Sequence, residues 1–176
     1  MLHRSIASLA ACTLVLAASS FAQGNKPVAS PPQTASVTLN GHHVTIEYGA
    51  PSMRGRKIMG GVVPYDKVWR TGANDATSLT TDVALKVGGT AVPAGSYTLY
   101  TGPSATHWVL IINKQTKQWG TEYHQDQDLA RIPMKSATLS SPQEQMSISF
   151  ENTHGNSTEL HIKWENTDVS VPVTAQ

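Results

Sequence analysis

The sequence predicts an all-β fold, an antiparallel β-sandwich of jelly-roll type with about eight to ten short strands and one long basic loop. Three observations carry this. Short segments alternate apolar and polar residues. Turn dipeptides punctuate them at regular intervals. No window beyond the first 22 residues keeps a 3.6-residue apolar period.

The first element is a hairpin over Ala35 to Tyr48. Asn40-Gly41 suits a type I′ turn, which needs positive φ at both central positions. A two-residue loop sets Leu39 opposite His42 and Val37 opposite Val44. One face then collects Val37, Leu39, Val44, Ile46 and Tyr48, and the other Thr38, His43, Thr45 and Glu47. Thr77 to Thr81 is a short strand, and Val83 to Val87 alternates up to a turn at Gly88-Gly89. Pro93-Ala94-Gly95 makes another turn before the strand Ser96 to Thr101. His107 to Asn113 is apolar on both faces, which predicts a central strand covered on both sides. Leu129 to Met134, Met146 to Phe150, Leu160 to Trp164 and Val169 to Val173 complete the set. Pro172 cannot donate to a ladder, so the last strand is expected at an edge.

The N-terminus reads as an export signal over residues 1–22. Arg4 charges a short leader, Ile6 to Ala18 is apolar but too short to span a bilayer, and Ser20-Phe21-Ala22 offers small residues for cleavage before Gln23. Leu9-Ala10-Ala11-Cys12 resembles a lipobox, which would instead anchor the protein through Cys12. The expected location is therefore periplasmic or extracellular, soluble or tethered, with no transmembrane span in the mature chain. Residues 23–34 are polar and Pro-rich, a flexible leader, and residues 35–176 form one domain. Cys12 is the only cysteine, so with the signal removed the mature chain has no disulfide, thiolate nucleophile or Cys-ligated metal. Without Arg4 it carries 12 basic and 12 acidic residues, a balance that does not steer it to nucleic acid.

Chemistry concentrates in the loop Gly49 to Asp75, GAPSMRGRKIMGGVVPYDKVWRTGAND. A loop of this length inside a domain is usually functional or disordered, and its apolar anchors (Ile58, Met59, Val63, Trp69 among them) argue for order. Arg54, Arg56 and Arg70, with Lys57, suit a carboxylate, phosphate or sulfate. Trp69 and Trp119 offer flat stacking faces, and Asn74 and Asp75 are polar partners. The bland alternative is that Arg70 pairs with Asp75 or Asp66 and merely fixes the loop. Gly55 and Gly60 have phosphate-loop spacing, but Gly61-Val62 stands where Lys and Ser/Thr are required. The histidines beyond the signal show no chelating spacing, and no G-x-S-x-G elbow is present. No metal or cofactor is expected. Asp75 is a weak candidate acid or base, with Glu122 or Asp126 as a second carboxylate. Lys117 to Asp128 reads as a second polar loop near one sheet end. Where it meets the basic loop, Trp119 and Tyr123 would complete a cleft with Trp69 and Arg70; otherwise it is a surface loop pinned by one buried tryptophan.

The runs YGAPSMRGRKIMGGVVPYDKVWRTGANDAT, VPAGSYTLYT, WVLIINK and WENTDVSVPV together resemble DUF2911, a bacterial family of unknown function usually found behind an export signal. The resemblance implies an exported β-rich domain and brings no established activity. The family pattern carries Glu where this chain has Asp75, which shortens a carboxylate's reach there by one methylene. Three functions stay open: a binding module for a polar or anionic small molecule or glycan, a hydrolase of envelope or extracellular carbohydrate or ester substrates, and a structural interaction domain.

Overall fold

The computed structural model describes residues 28–176. The signal, its cleavage point and Cys12 lie outside the described residues. Asn40 and Gly41 take φ of 48° and 86°, so the hairpin closes as its dipeptide requires. Strand β1 (Pro32–Leu39) pairs with β2 (His42–Gly49), with Leu39 opposite His42 and Val37 opposite Val44. The strand starts at Pro32, inside the stretch read as flexible leader. Proline is tolerated there because the first residue of a strand need not donate.

The remaining strands are β3 (Ala73–Thr81), β4 (Leu85–Val87), β5 (Thr90–Val92), β6 (Gly95–Gly102), β7 (Trp108–Asn113), β8 (Asp128–His154) and β9 (Ser157–Ala175). All nine join one open antiparallel sheet in the order β1-β2-β3-β6-β7-β8-β9-β4-β5. The described residues include no α-helix, only one 3-10 turn at Gln125–Gln127. No helix among them is long and apolar enough to cross a membrane. Strand β7 lies between β6 and β8, with Leu110 to Asn113 all buried, as its apolar run requires.

Two expectations change. The last two pairs of short strands are two long ones: β8 has 27 residues and β9 has 19. Alternation breaks in the middle of each because register shifts there, between Thr138 and Gln143 on β8 and opposite Glu165 to Thr167 on β9. Nor is the strand carrying Pro172 an edge. Strand β9 lies between β8 and β4. Its ladder with β8 starts at Ser170 and its ladder with β4 ends at Val173, so Pro172 falls between them. Its carbonyl still accepts the Gly88 N–H at 2.8 Å.

One apolar core spans the sheet, from Leu39, Val44 and Ile46 on the first hairpin to Ile148, Leu160 and Trp164 on the last. The two hairpins also meet through polar bonds, although they are not neighbours in the sheet. Tyr48 Oη accepts the Ile148 N–H at 3.0 Å. Ser52 bridges Gln145, flanked by Met53 N–H to Glu144 O at 2.8 Å and Met146 N–H to Pro51 O at 2.9 Å. The segment after β2 is thereby laid against the far half of β8.

Candidate functional site

Residues 50–72 connect β2 to β3 and make up most of the basic loop. The loop is packed rather than loose: Ala50, Ile58 and Val63 are fully buried. Burying one such aliphatic side chain contributes roughly 1.5–3 kcal/mol. Its backbone is held from outside by carboxylates. Glu165 Oε1 accepts the Ile58 N–H at 3.0 Å and Oε2 accepts the Met59 N–H at 3.2 Å. Glu144 Oε1 accepts the Arg54 N–H at 2.8 Å. Further on, Trp69 exchanges both backbone bonds with Thr101, at 2.8 and 2.9 Å.

The turn into β3 is conformationally costly. Thr71 has φ of 56°, a left-handed backbone that disfavours a β-branched residue. It is fully buried, and its surroundings hold it: its hydroxyl donates to Thr101 Oγ1 at 3.1 Å, and its carbonyl accepts from Thr77 Oγ1 at 3.0 Å. Such a residue stores on the order of 1–3 kcal/mol and sits where the surrounding structure over-determines it. It immediately follows Trp69 and Arg70 and sets where they point.

A cleft of ≈ 410 Å³ opens here, lined by Arg56, Arg70, Trp69, Tyr100, Tyr123 and Trp164 among others. Trp69 and Trp164 stack with centroids 6.0 Å apart and planes at 18°. Tyr100 and Tyr123 meet edge to face at 5.0 Å. Both phenols stay neutral at ordinary pH. Burial pushes the Tyr100 hydroxyl up, and burial followed by its bond to Asp128 pushes Tyr123 up to about 12. Neither adds negative charge to the cleft, and each already donates its hydroxyl within the protein, Tyr100 to the Glu122 carbonyl and Tyr123 to Asp128.

The two arginines have no counter-ion among the described residues. Arg70 Nε donates to the Gly72 carbonyl at 3.1 Å, and Arg56 donates to the Met53 and Ser52 carbonyls at 3.0 and 2.7 Å. Ion pairs among the described residues involve only Arg131, Lys163, His42 and His161 as the basic partner. The bland alternative, an Arg70 pair with Asp75 or Asp66, is therefore absent. No carboxylate among the described residues lines the cleft. Two guanidinium groups bonded only to neutral carbonyls keep donors and charge for a ligand.

The other sequence candidates fall elsewhere. Arg54 is exposed and donates to the Ala29 carbonyl at 3.2 Å. Lys57 is exposed and does not line the cleft. Asn74 and Asp75 line a neighbouring groove instead. Trp119 is 48% exposed and pairs through its backbone with Asp75, lining neither cleft nor groove. The next residue, Gly120, lies under Arg70: an added Cβ would fall 2.8 Å from Arg70 Cδ and 2.8 Å from the Asn74 carbonyl. Of the second loop's two aromatics, Tyr123 lines the cleft with Trp69 and Arg70 and Trp119 does not, while nothing local in the sequence joins Tyr100 and Trp164 to Arg56. Glu165 does have a sequence signal, since the apolar positions change parity from Leu160, Ile162 and Trp164 to Val169 and Val171. That change marks a bulge, and Glu165 sits in it with φ of 54°. No group of three or more His, Cys, Asp or Glu among the described residues is arranged to hold a metal ion.

Fold and site define an all-β antiparallel domain with a cationic cleft walled by aromatic side chains. The chain matches the family described as Protein of unknown function (DUF2911) over residues 30–173, and it belongs to that family. No curated protein and no solved structure matches it significantly.

Proposed function

We propose that this protein is an exported, non-enzymatic binding module whose cleft takes the anionic group of a small polar molecule. The observation that carries this is the pair Arg56 and Arg70, which line one cleft without a carboxylate partner among the described residues. A ligand carboxylate, phosphate or sulfate would accept the guanidinium hydrogens that neutral carbonyls leave over. Trp69 and Trp164, buried and stacked on one another, back the cleft with apolar surface, and Tyr100 and Tyr123 stand as neutral neighbours. Among the described residues the lining offers no carboxylate, imidazole or thiol to serve as base or nucleophile. Asp75, the candidate for hydrolysis, does not line this cleft.

The test is calorimetric titration with sulfate and inorganic phosphate, followed in parallel by tryptophan emission, since two tryptophans line the cleft. Removing one charge-assisted hydrogen bond costs about 1.5–3 kcal/mol, so Arg70→Gln should weaken binding by roughly tenfold to a hundredfold. Its thermal midpoint should stay at the wild-type value. If Arg70→Gln binds these anions as wild type does, or fails to fold, the guanidinium is a structural group and the proposal is wrong.

A further inference from the structure

A second concavity, ≈ 660 Å³, adjoins the cleft, and Ser30 and Ala73 line both. Its floor is the outer face of β2, β3 and β6. Cross-strand pairing sets Glu47 beside Ser78, Ser78 beside Thr98, and Thr80 beside Ser96. Thr98 is buried and donates to the Gln115 carbonyl, which leaves Ser78, Thr80, Ser96 and the Glu47 carboxylate as the polar groups of the face. Adjacent strands lie ~4.8 Å apart, about the width of a sugar ring. Asp75 and Lys117 stand at the wall.

Charge is divided between the two hollows. The cleft presents two arginines and no acid, while the groove presents two acids, Glu47 and Asp75, and one cation, Lys117. A polar relay joins them. Gln118 Nε2 donates to Thr98 Oγ1 in the groove at 3.1 Å and to Tyr100 Oη in the cleft at 3.0 Å. The Gln118 Oε1 is buried and has no hydrogen-bond partner among the described residues. The same face argues against a peptide strand as ligand. Strands β2, β3 and β6 each have a neighbour on both sides, so their backbone groups are committed to the sheet. Recognition on this face falls to side-chain hydroxyls and carboxylates, which suit a ligand rich in hydroxyls.

We infer that cleft and groove form one extended site for a saccharide with an anionic group at one end. The anionic end sits with Arg56 and Arg70, and uncharged rings lie over Ser78, Thr80 and Ser96, with Glu47 and Asp75 accepting from ring hydroxyls. This rests on the anion-binding reading of the cleft. A chain charged on every sugar would be repelled by Glu47 and Asp75, and an uncharged one would leave both arginines unused.

The test titrates the whole protein by calorimetry with sulfate, gluconate, three aldobionates (maltobionate, cellobionate, lactobionate) and their neutral parents maltose, cellobiose and lactose. At least one aldobionate should bind tenfold or more tighter than gluconate, and tenfold or more tighter than its neutral parent. A Glu47→Gln/Ser78→Ala double variant, checked for an unchanged melting temperature, should lose that gain and keep wild-type affinity for gluconate and sulfate. If sulfate and gluconate bind but no aldobionate exceeds gluconate, the extended site is wrong while the anion cleft stands. The extended site also fails if the gain survives in the double variant, or if a neutral parent binds as tightly as its aldobionate. If none of the anions binds, the anion cleft falls and this inference with it.

Discussion

Glu165→Ala should release the basic loop without touching the cleft directly. The carboxylate accepts two backbone N–H groups, from Ile58 at 3.0 Å and Met59 at 3.2 Å. Hydrogen bonds to a charged partner contribute about 1.5–3 kcal/mol each. Glu165 is only partly buried, so water can replace some of what is lost, and the net cost is put at about 2–4 kcal/mol. For a domain of this size each kcal/mol shifts the midpoint by roughly 2–4 °C, so the melt should fall by about 4–16 °C. Glu165→Gln keeps one acceptor and should lose about half as much. Glu165→Gly separates the backbone contribution: at φ of 54° a non-glycine residue pays roughly 1–2 kcal/mol that glycine does not, so the glycine variant should be the more stable of the two. Thermal melts give the stabilities, and hydrogen exchange at the Ile58 and Met59 amides gives the location. An alanine variant that melts with wild type and protects those two amides equally would refute the assignment of Glu165 as the loop's anchor.

Further outcomes follow from other contacts. Gly120→Ala places a Cβ 2.8 Å from both Arg70 Cδ and the Asn74 carbonyl; because a backbone oxygen cannot step aside, it should cost about 1–3 kcal/mol and weaken sulfate binding, read by melt and calorimetry. Tyr123 has its folded pKa raised to about 12 from 10.0, so its contribution to stability is complete below pH 10 and is lost as pH rises toward 12; Tyr123→Phe should flatten that limb of the stability–pH curve. Glu151 is held below the usual carboxylate range, first by its bond from Lys163 and then by Ser149. Its contribution is complete above the ordinary glutamate pKa and is lost as pH falls through the lowered folded value, so Lys163→Met should shrink the acid-side loss of stability measured in urea.

The hairpin at Asn40-Gly41 was legible because its turn, its register and its buried face are all local matters. The apolar run of β7 was legible for the same reason: burial on both faces is written into consecutive residues. The length of β8 and β9 was not, because a bulge interrupts alternation just as a turn does, and only pairing partners distinguish the two. At the site, Arg56, Trp69 and Arg70 stood out as residue types that bind anions and stack, crowded into one loop. What completes their cleft comes from far along the chain. Trp164 stacks on Trp69 from 95 residues away, and Tyr100 and Tyr123 arrive on other elements. Asp75 and Trp119 looked like members of the same constellation, yet β3 and its partner carry them to the next hollow and to the surface.

Three of the fastenings join chain segments very distant in sequence. Glu165 to Ile58 spans 107 residues, Tyr48 to Ile148 spans 100, and Glu144 to Arg54 spans 90. Contacts of such separation form late, after the terminal ribbons have closed on their own turns and found each other. The cleft is thus expected among the last parts of the molecule to be assembled and among the first released. Weakening its fastenings should hasten unfolding while leaving the speed of folding nearly untouched. A newly made chain would have no formed cleft until its two terminal hairpins had met.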